Sequence, residues 1–394
     1  MPENQLLLDA FRNSNFEEAR ELLKEESNVP VDLQPFERIQ LFDKLIRNKA
    51  FDIILLFIRH QLIETDLYEY TSFDHTLLKS IFLNLQQEEE DIIFFDEFLS
   101  LLQNLNEPIN NQTLLGYALE SGVHPVLIES LIRAGCDTNW VNNAEETYLH
   151  QIASNNRITP EIAVILLDLM INEGLDVNAM DIVKKTPLIH AISRNKVQLI
   201  DLLLKNGAET NTPDNVGETA IYHAVVHQQN LSLYHMLCAY EKPDFEILNK
   251  NKVAILFEFL RRLNRPSETL LNLLTALIND GADLYAPAIY YGSEKTPADI
   301  VAEQTFDVFN TVIQLEALDL TRLDQNGNSL LHKVCAFDVN FDQEMAKDTY
   351  RKVKLLIQKG IDINLTNNQD QTAMMLASTD NLKAKTVELL LTNK

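Results

Sequence analysis

The chain has 394 residues, 46% of them hydrophobic, with 33 Lys and Arg set against 58 Asp and Glu for a formal charge of −25 at pH 7. Such a charge repels phosphate backbones and anionic membrane surfaces, which argues against nucleic acid as a partner. Cys136, Cys238 and Cys335 lie too far apart for a disulfide framework or a metal-binding cluster, so a reducing, intracellular setting is expected.

From the N-terminus, no basic segment is followed by an apolar run and a small-residue cleavage site, and no secretory signal is expected. The greasy stretch Phe51–Ile58 is interrupted by Asp52 and soon meets Arg59, so no membrane insertion is expected either. Three weakly similar segments, QLLLDA at Gln5, QLFDKL at Gln40 and TLLKSI at Thr76, share an apolar pattern at a spacing near 35 residues without a terminal glycine. Residues 1–112 are therefore read as a region of degenerate helical units, distinct from 113–394. Within it, Glu88, Glu89, Glu90 and Asp91 precede IIFFDEFLSLL, where carboxylates suit the positive end of a helix. A calcium loop would need spaced oxygen ligands around a glycine, and that pattern is absent.

From Thr113 the repetition sharpens. Thr113, Thr147, Thr186, Thr219, Val253, Thr296, Ser329 and Thr372 each precede a short apolar pattern, and Thr186 and Thr219 stand 33 residues apart. After Thr186, a second run of Val197, Leu199, Ile200, Leu203 and Leu204 has helical spacing, so two short helices are predicted per unit. Threonine before Pro187 suits a helix start, because its hydroxyl accepts a free backbone N–H while proline occupies the first turn. Gly135, Gly174, Gly207, Gly281 and Gly360 then mark five ends of second helices. Two long units, near 253–295 and 329–371, carry extra length expected at 264–268 and 337–348 as extended loops or helices.

Residue types that carry chemistry have plain structural readings. His150 and His332 sit in TYLH and SLLH, where a backbone hydrogen bond is expected. His190 and His223 fall one residue later in their units, and their separation of 33 follows the repeat rather than metal geometry. All three cysteines occupy packing slots. Lys250, Lys252, Arg261, Arg262 and Arg265 form a local basic concentration, read as a solvated helix pair with docking of a phosphate or acidic segment as the alternative. Phosphate loops, nucleophile elbows and zinc-protease helices are absent, so no catalytic residue, metal or cofactor is expected.

Thr186-Pro187-Leu188, Leu202-Leu203-Leu204, Gly207-Ala208 and Asn211 closely resemble the ankyrin repeat, whose period is 33 residues. The resemblance implies an all-α solenoid of helix-turn-helix units with projecting hairpins, about eleven copies including the degenerate ones. It implies a non-enzymatic, monomeric scaffold for a protein partner, and the chain is also similar to bacterial ankyrin effectors delivered into host cells. Partner contacts are then expected at hairpins and first helices: Asn143 and Asn155 around Thr147; Ile182, Val183, Lys185 and Arg194 around Thr186; Asn215, Val216, Glu218 and His227 around Thr219; and Gln325, Asn326, Asn328 and Phe337 around Ser329. Ile182, Val183, Val216 and Phe337 would form an apolar contact stripe. Glu145 and Lys184 stand where the family expects a glycine, which leaves hairpin geometry open at those units. The alternative is an enzyme or enzyme regulator with its active part in residues 1–110; continued helix pairs there would favour the scaffold, a sheet or deep polar pocket the enzyme.

Overall fold

The computed structural model describes residues 2–24, 35–74, 76–263 and 266–393. Asn264 and Arg265, part of an expected loop and of the basic concentration, lie outside the described residues. The chain divides into two compact units, Met1–Ala208 and Glu209–Lys394.

In the first unit the helices are α1 (Pro2–Arg12), α2 (Phe16–Leu23), α3 (Pro35–Arg47), α4 (Phe51–Arg59), α5 (Leu77–Asn84), α6 (Glu89–Leu101), α7 (Leu114–Ser121), α8 (Pro125–Arg133), α9 (Tyr148–Ser154), α10 (Pro160–Asn172), α11 (Pro187–Ser193) and α12 (Val197–Lys205). α1 pairs with α2, α3 with α4, α7 with α8, α9 with α10 and α11 with α12. The first helices α7, α9 and α11 pack in series, as do the second helices α6, α8, α10 and α12.

The second unit repeats the scheme. A short α13 (Ala220–Tyr222) runs into a π-helix, His223–His227, and is followed by α14 (Leu231–Cys238), α15 (Ile255–Arg262), α16 (Glu268–Asn279), α17 (Pro297–Glu303), α18 (Phe306–Gln314), α19 (Leu330–Ala336), α20 (Gln343–Gln358), α21 (Ala373–Ala377) and α22 (Ala384–Thr392). Each unit is built of helix pairs, and among the described residues of the second, strands β1 (Ala288–Tyr290) and β2 (Ser293–Lys295) form an antiparallel ribbon in the hairpin before Thr296. That ribbon was not anticipated. Part of the extra length expected at 264–268 is found there, whereas 337–348 becomes a turn followed by the long helix α20.

Threonine and serine perform the predicted capping. The Thr113 hydroxyl accepts from Gly116 N–H at 3.1 Å, Thr219 from Tyr222 N–H at 3.1 Å, and Thr372 from Met375 N–H at 3.3 Å. Three of the positions used as rulers need correction. Gln5 and Gln40 fall inside α1 and α3, which begin earlier, at Pro2 and Pro35. At Val253 the true cap is Ala254, one residue later, with no hydroxyl to mark it. The predicted helix ends hold: Gly135, Gly174, Gly207, Gly281 and Gly360 all have positive φ just beyond α8, α10, α12, α16 and α20. Glu88 and Asp91 form a reciprocal capping pair at the start of α6.

Hairpins are held by one side chain each. Asn142, Asp181, Asp214, Asn249, Asp324 and Asn367 each use Oδ1 to accept two backbone N–H groups, two and four residues on; at Asp181 these come from Val183 and Lys185 at 2.9 and 2.8 Å. Three residues after each, the backbone enters the left-handed region, at Glu145, Lys184, Gly217, Lys252, Gly327 and Asp370. The hairpins at Glu145 and Lys184 therefore keep the common geometry without glycine. Neighbouring hairpins within each unit are stitched together by Ile182 N–H to Ala144 O, Lys250 N–H to Val216 O, and Asn368 N–H to Asn326 O, at 2.8, 2.8 and 2.9 Å.

Candidate interaction surface

Three kinds of side chain build the surface: histidines that tie helices to hairpins, lysines that tie one helix pair to the previous one, and the residues left facing water. His150 and His332 play the backbone role expected of them. His150 Nδ1 accepts Thr147 N–H at 3.2 Å, which places the ring proton on Nε2, where it is donated to Lys185 O at 3.0 Å. His332 repeats this with Ser329 N–H and Gln371 O. Burial holds the His150 pKa below the usual imidazole value.

His190 is more than a helix-face residue. Its Nδ1 meets the Ser154 hydroxyl at 2.7 Å and its Nε2 meets the carboxylate of Asp181 at 2.9 Å, clasping α9, α11 and a hairpin together. One repeat later, His227 Nε2 meets Glu218 at 2.7 Å, and His223 Nε2 lies 3.7 Å from the same Glu218 oxygen. Sequence reasoning saw Glu218, His223 and His227 separately. The π-turn is what brings His223 and His227 beside the hairpin carboxylate.

The lysines were missed altogether, because a lone lysine in or beside a helical segment reads as solvated. Lys196 Nζ donates to Ile152 O at 3.1 Å and to Asn155 O; Lys352 Nζ donates to Ala302 O at 3.0 Å; Lys383 Nζ donates to Cys335 O at 3.0 Å and to Phe337 O. Lys44 does the same to Phe11 O and Arg12 O. In each case an amine satisfies carbonyls left free where an earlier first helix ends.

Lys352 is almost fully buried, and desolvation pushes its pKa down from 10.5 to about 8. Folding thus lowers the pKa of a base, so the unfolded chain binds more protons between about pH 8 and 10.5, and stability rises with pH. Burial raises the Cys136 and Cys335 thiols to about 12 and Cys238 to about 11; these act oppositely once an unfolded thiol ionises near 9. Comparison with Lys352→Met over pH 7 to 9 isolates the amine. Urea unfolding should show the native chain gaining about 1 kcal/mol over that range relative to Lys352→Met. Equal pH slopes for the two proteins would mean that the carbonyl of Ala302 fully compensates the burial.

Residues expected to touch a partner separate into exposed and partly buried groups. Asn143, Ile182, Val183, Arg194, Asn215, His227, Gln325 and Asn326 are exposed, whereas Asn155, Lys185, Val216, Glu218, Asn328 and Phe337 are partly covered. The Asn155 amide donates to Glu120 O, and Asn328 pairs with Asp324 and Asn367. Phe337 is half-buried and not the exposed end of a stripe; in that loop the exposed ring is Phe341, at 95%. In the first unit, Val141, Met180, Ile182 and Val183 are 44–56% exposed on adjacent hairpins. Beside them lies a groove of 520 Å³ lined by Asn110, Asn111, Asn142, Gln151, Asn155 and Arg157 among others. In the basic concentration, Arg261 pairs with the buried Glu258 at 2.6 Å and lies over the Tyr290 ring, and Arg262 Nη1 approaches His227 Nδ1 at 3.5 Å.

Helix pairs stacked in layers, many first helices capped by Thr or Ser and five second helices ended by left-handed Gly, with hairpins between successive pairs, define a helical repeat protein. Residues 161–249 match the family model described as Ankyrin repeats (3 copies). Among solved structures the chain is similar to the ankyrin repeat domain of Bcl-3, described as a unique member of the IkappaB protein family, at 21% identity and a TM-score of 0.48, covering 63% of this chain and 98% of that one. No curated protein matches the sequence. Ankyrin repeats as a class mediate protein–protein interaction and are typically non-enzymatic. No described helix is long and apolar enough to cross a membrane.

Proposed function

We propose that this chain is a monomeric, non-enzymatic adaptor, acting inside the cell, that binds a protein partner on the hairpins and first-helix ends of its repeats. The observation that carries the reading is the set of exposed apolar side chains Val141, Met180, Ile182 and Val183 on hairpins already stitched together by their backbones. Apolar groups held together at a surface mark interaction sites. Asn142 borders both these tips and the amide-lined groove, whose donors and acceptors match an extended segment of polypeptide. Within residues 1–112, α1 packs on α2 and α3 packs on both α4 and α5, which supports reading this region as degenerate repeats rather than as a separate enzyme. Delivery into a host cell rests on the resemblance alone.

Affinity capture from cytosol with the full chain as bait tests this, using Ile182→Asp with Val183→Asp. Both side chains are exposed, so melting followed by circular dichroism should move little, within about 0.5 kcal/mol. The captured partner should fall at least about tenfold, since two carboxylates would be desolvated in the interface. A folded double variant that captures its partner undiminished would exclude this surface.

A further inference from the structure

We propose that Glu218, His223 and His227 form a binding site for a zinc-class divalent cation, a property independent of the adaptor reading. Each residue offers one ligand atom, and the three atoms lie within 4.8 Å of one another. Two imidazole Nε2 atoms converge on a single carboxylate oxygen of Glu218, at 2.7 and 3.7 Å. Ligand atoms around a tetrahedral zinc ion are separated by roughly 3 Å, as follows from metal–ligand distances near 2.0–2.1 Å. Small movements of exposed His227 would therefore close the three around one ion.

The backbone supplies a second, independent indication. His223–His227 is a π-helix, with Gln228 N–H bonded to His223 O at 3.0 Å, and the equivalent segment of the preceding repeat, Pro187–Ser193, is an ordinary α-helix. Single π-turns inside helices occur often at functional sites. Here the turn places two imidazoles on the side of the helix that faces the hairpin bearing Glu218. The preceding repeat brings a single imidazole, His190, close to the carboxylates of Glu146 and Asp181, whereas here two imidazoles meet one carboxylate.

Two nitrogens and one carboxylate oxygen suit zinc and its borderline neighbours, whereas calcium and magnesium prefer an all-oxygen set. Three protein ligands leave a fourth position for water. In the structure as described, Arg262 lies 3.5 Å from His227 Nδ1, which favours the tautomer with its proton on Nε2. Metal ligation by Nε2 moves that proton to Nδ1, and Arg262, an exposed side chain, has room to withdraw.

Cobalt(II) titration of the full chain reads the site directly, because four-coordinate cobalt absorbs visibly and zinc displaces it. Expected is one equivalent of tightly bound cobalt with that absorption, released by zinc. Glu218→Gln and His227→Asn should weaken it by more than the roughly 10- to 100-fold that loss of a second-shell partner costs. Both residues are less buried than His223, so these variants keep the test independent of folding, and His190→Gln should leave the titration unchanged. Absence of the visible absorption, or cobalt binding of full strength in Glu218→Gln and His227→Asn, overturns the proposal.

Discussion

Leu203→Ala is expected to lower the stability of the chain by about 2 to 5 kcal/mol, the range for truncating a fully buried leucine. Leu203 is 0% exposed in α12, which packs on α10 and α11. Its side chain therefore ties together two layers of the stack, and the vacated volume has rigid helix neighbours on both sides. Repeat stacks couple mainly through nearest neighbours, so the loss should also broaden the unfolding transition. Urea denaturation followed by circular dichroism measures both effects, and an unchanged midpoint and slope would show that Leu203 is not in the core.

The second large effect lies in a hairpin. Gly217 has φ +75°, and a Cβ added there would sit 2.5 Å from Leu248 O and 2.8 Å from Asn249 Cα. These are backbone atoms of the next hairpin, held in place by the bond from Lys250 N–H to Val216 O. Gly217→Ala must therefore accept the left-handed backbone with a side chain and also force two hairpins apart, at a combined cost of roughly 2 to 5 kcal/mol. Lys184 occupies the matching position one repeat earlier with φ +61°. Lys184→Gly should accordingly gain up to about 1 kcal/mol. The two substitutions should move the urea midpoint in opposite directions; a Gly217→Ala midpoint indistinguishable from the parent would show that the hairpins yield freely.

Those two positions also show how far the sequence could be read. Thr186, Thr219 and Ser329 announce helix starts because a hydroxyl at a cap has a single geometric duty, and Gly207 or Gly360 announces an end for the same reason. Gln5, Gln40 and Val253 carry no such chemistry, and there the register slipped. Glu145 and Lys184 looked like departures from the hairpin pattern because only glycine advertises a left-handed turn. The residues that fix the turn, Asn142, Asp181, Asp214 and their counterparts, alternate between two residue types in segments already rich in polar side chains. At the candidate surface, Ile182 and Val183 were legible as apolar residues in a projecting turn. Phe337 was not, since only the path of α20 decides which ring of that loop is covered. Glu218 with His223 and His227 escaped notice because the π-turn that unites them leaves no distinct spacing in the sequence.

The lysine contacts give the stack a polarity. Lys44, Lys196, Lys352 and Lys383 all reach backwards, to carbonyls 32 to 50 positions earlier in the chain. Shortening the protein from its C-terminal side removes the amine that completes an earlier helix end, whereas shortening from the N-terminal side leaves an amine without its carbonyls. Deletion series started from opposite ends should thus be tolerated unequally. During synthesis, likewise, α1, α9, α17 and α19 each wait for a lysine still inside the ribosome before the carbonyls of the last turn are satisfied.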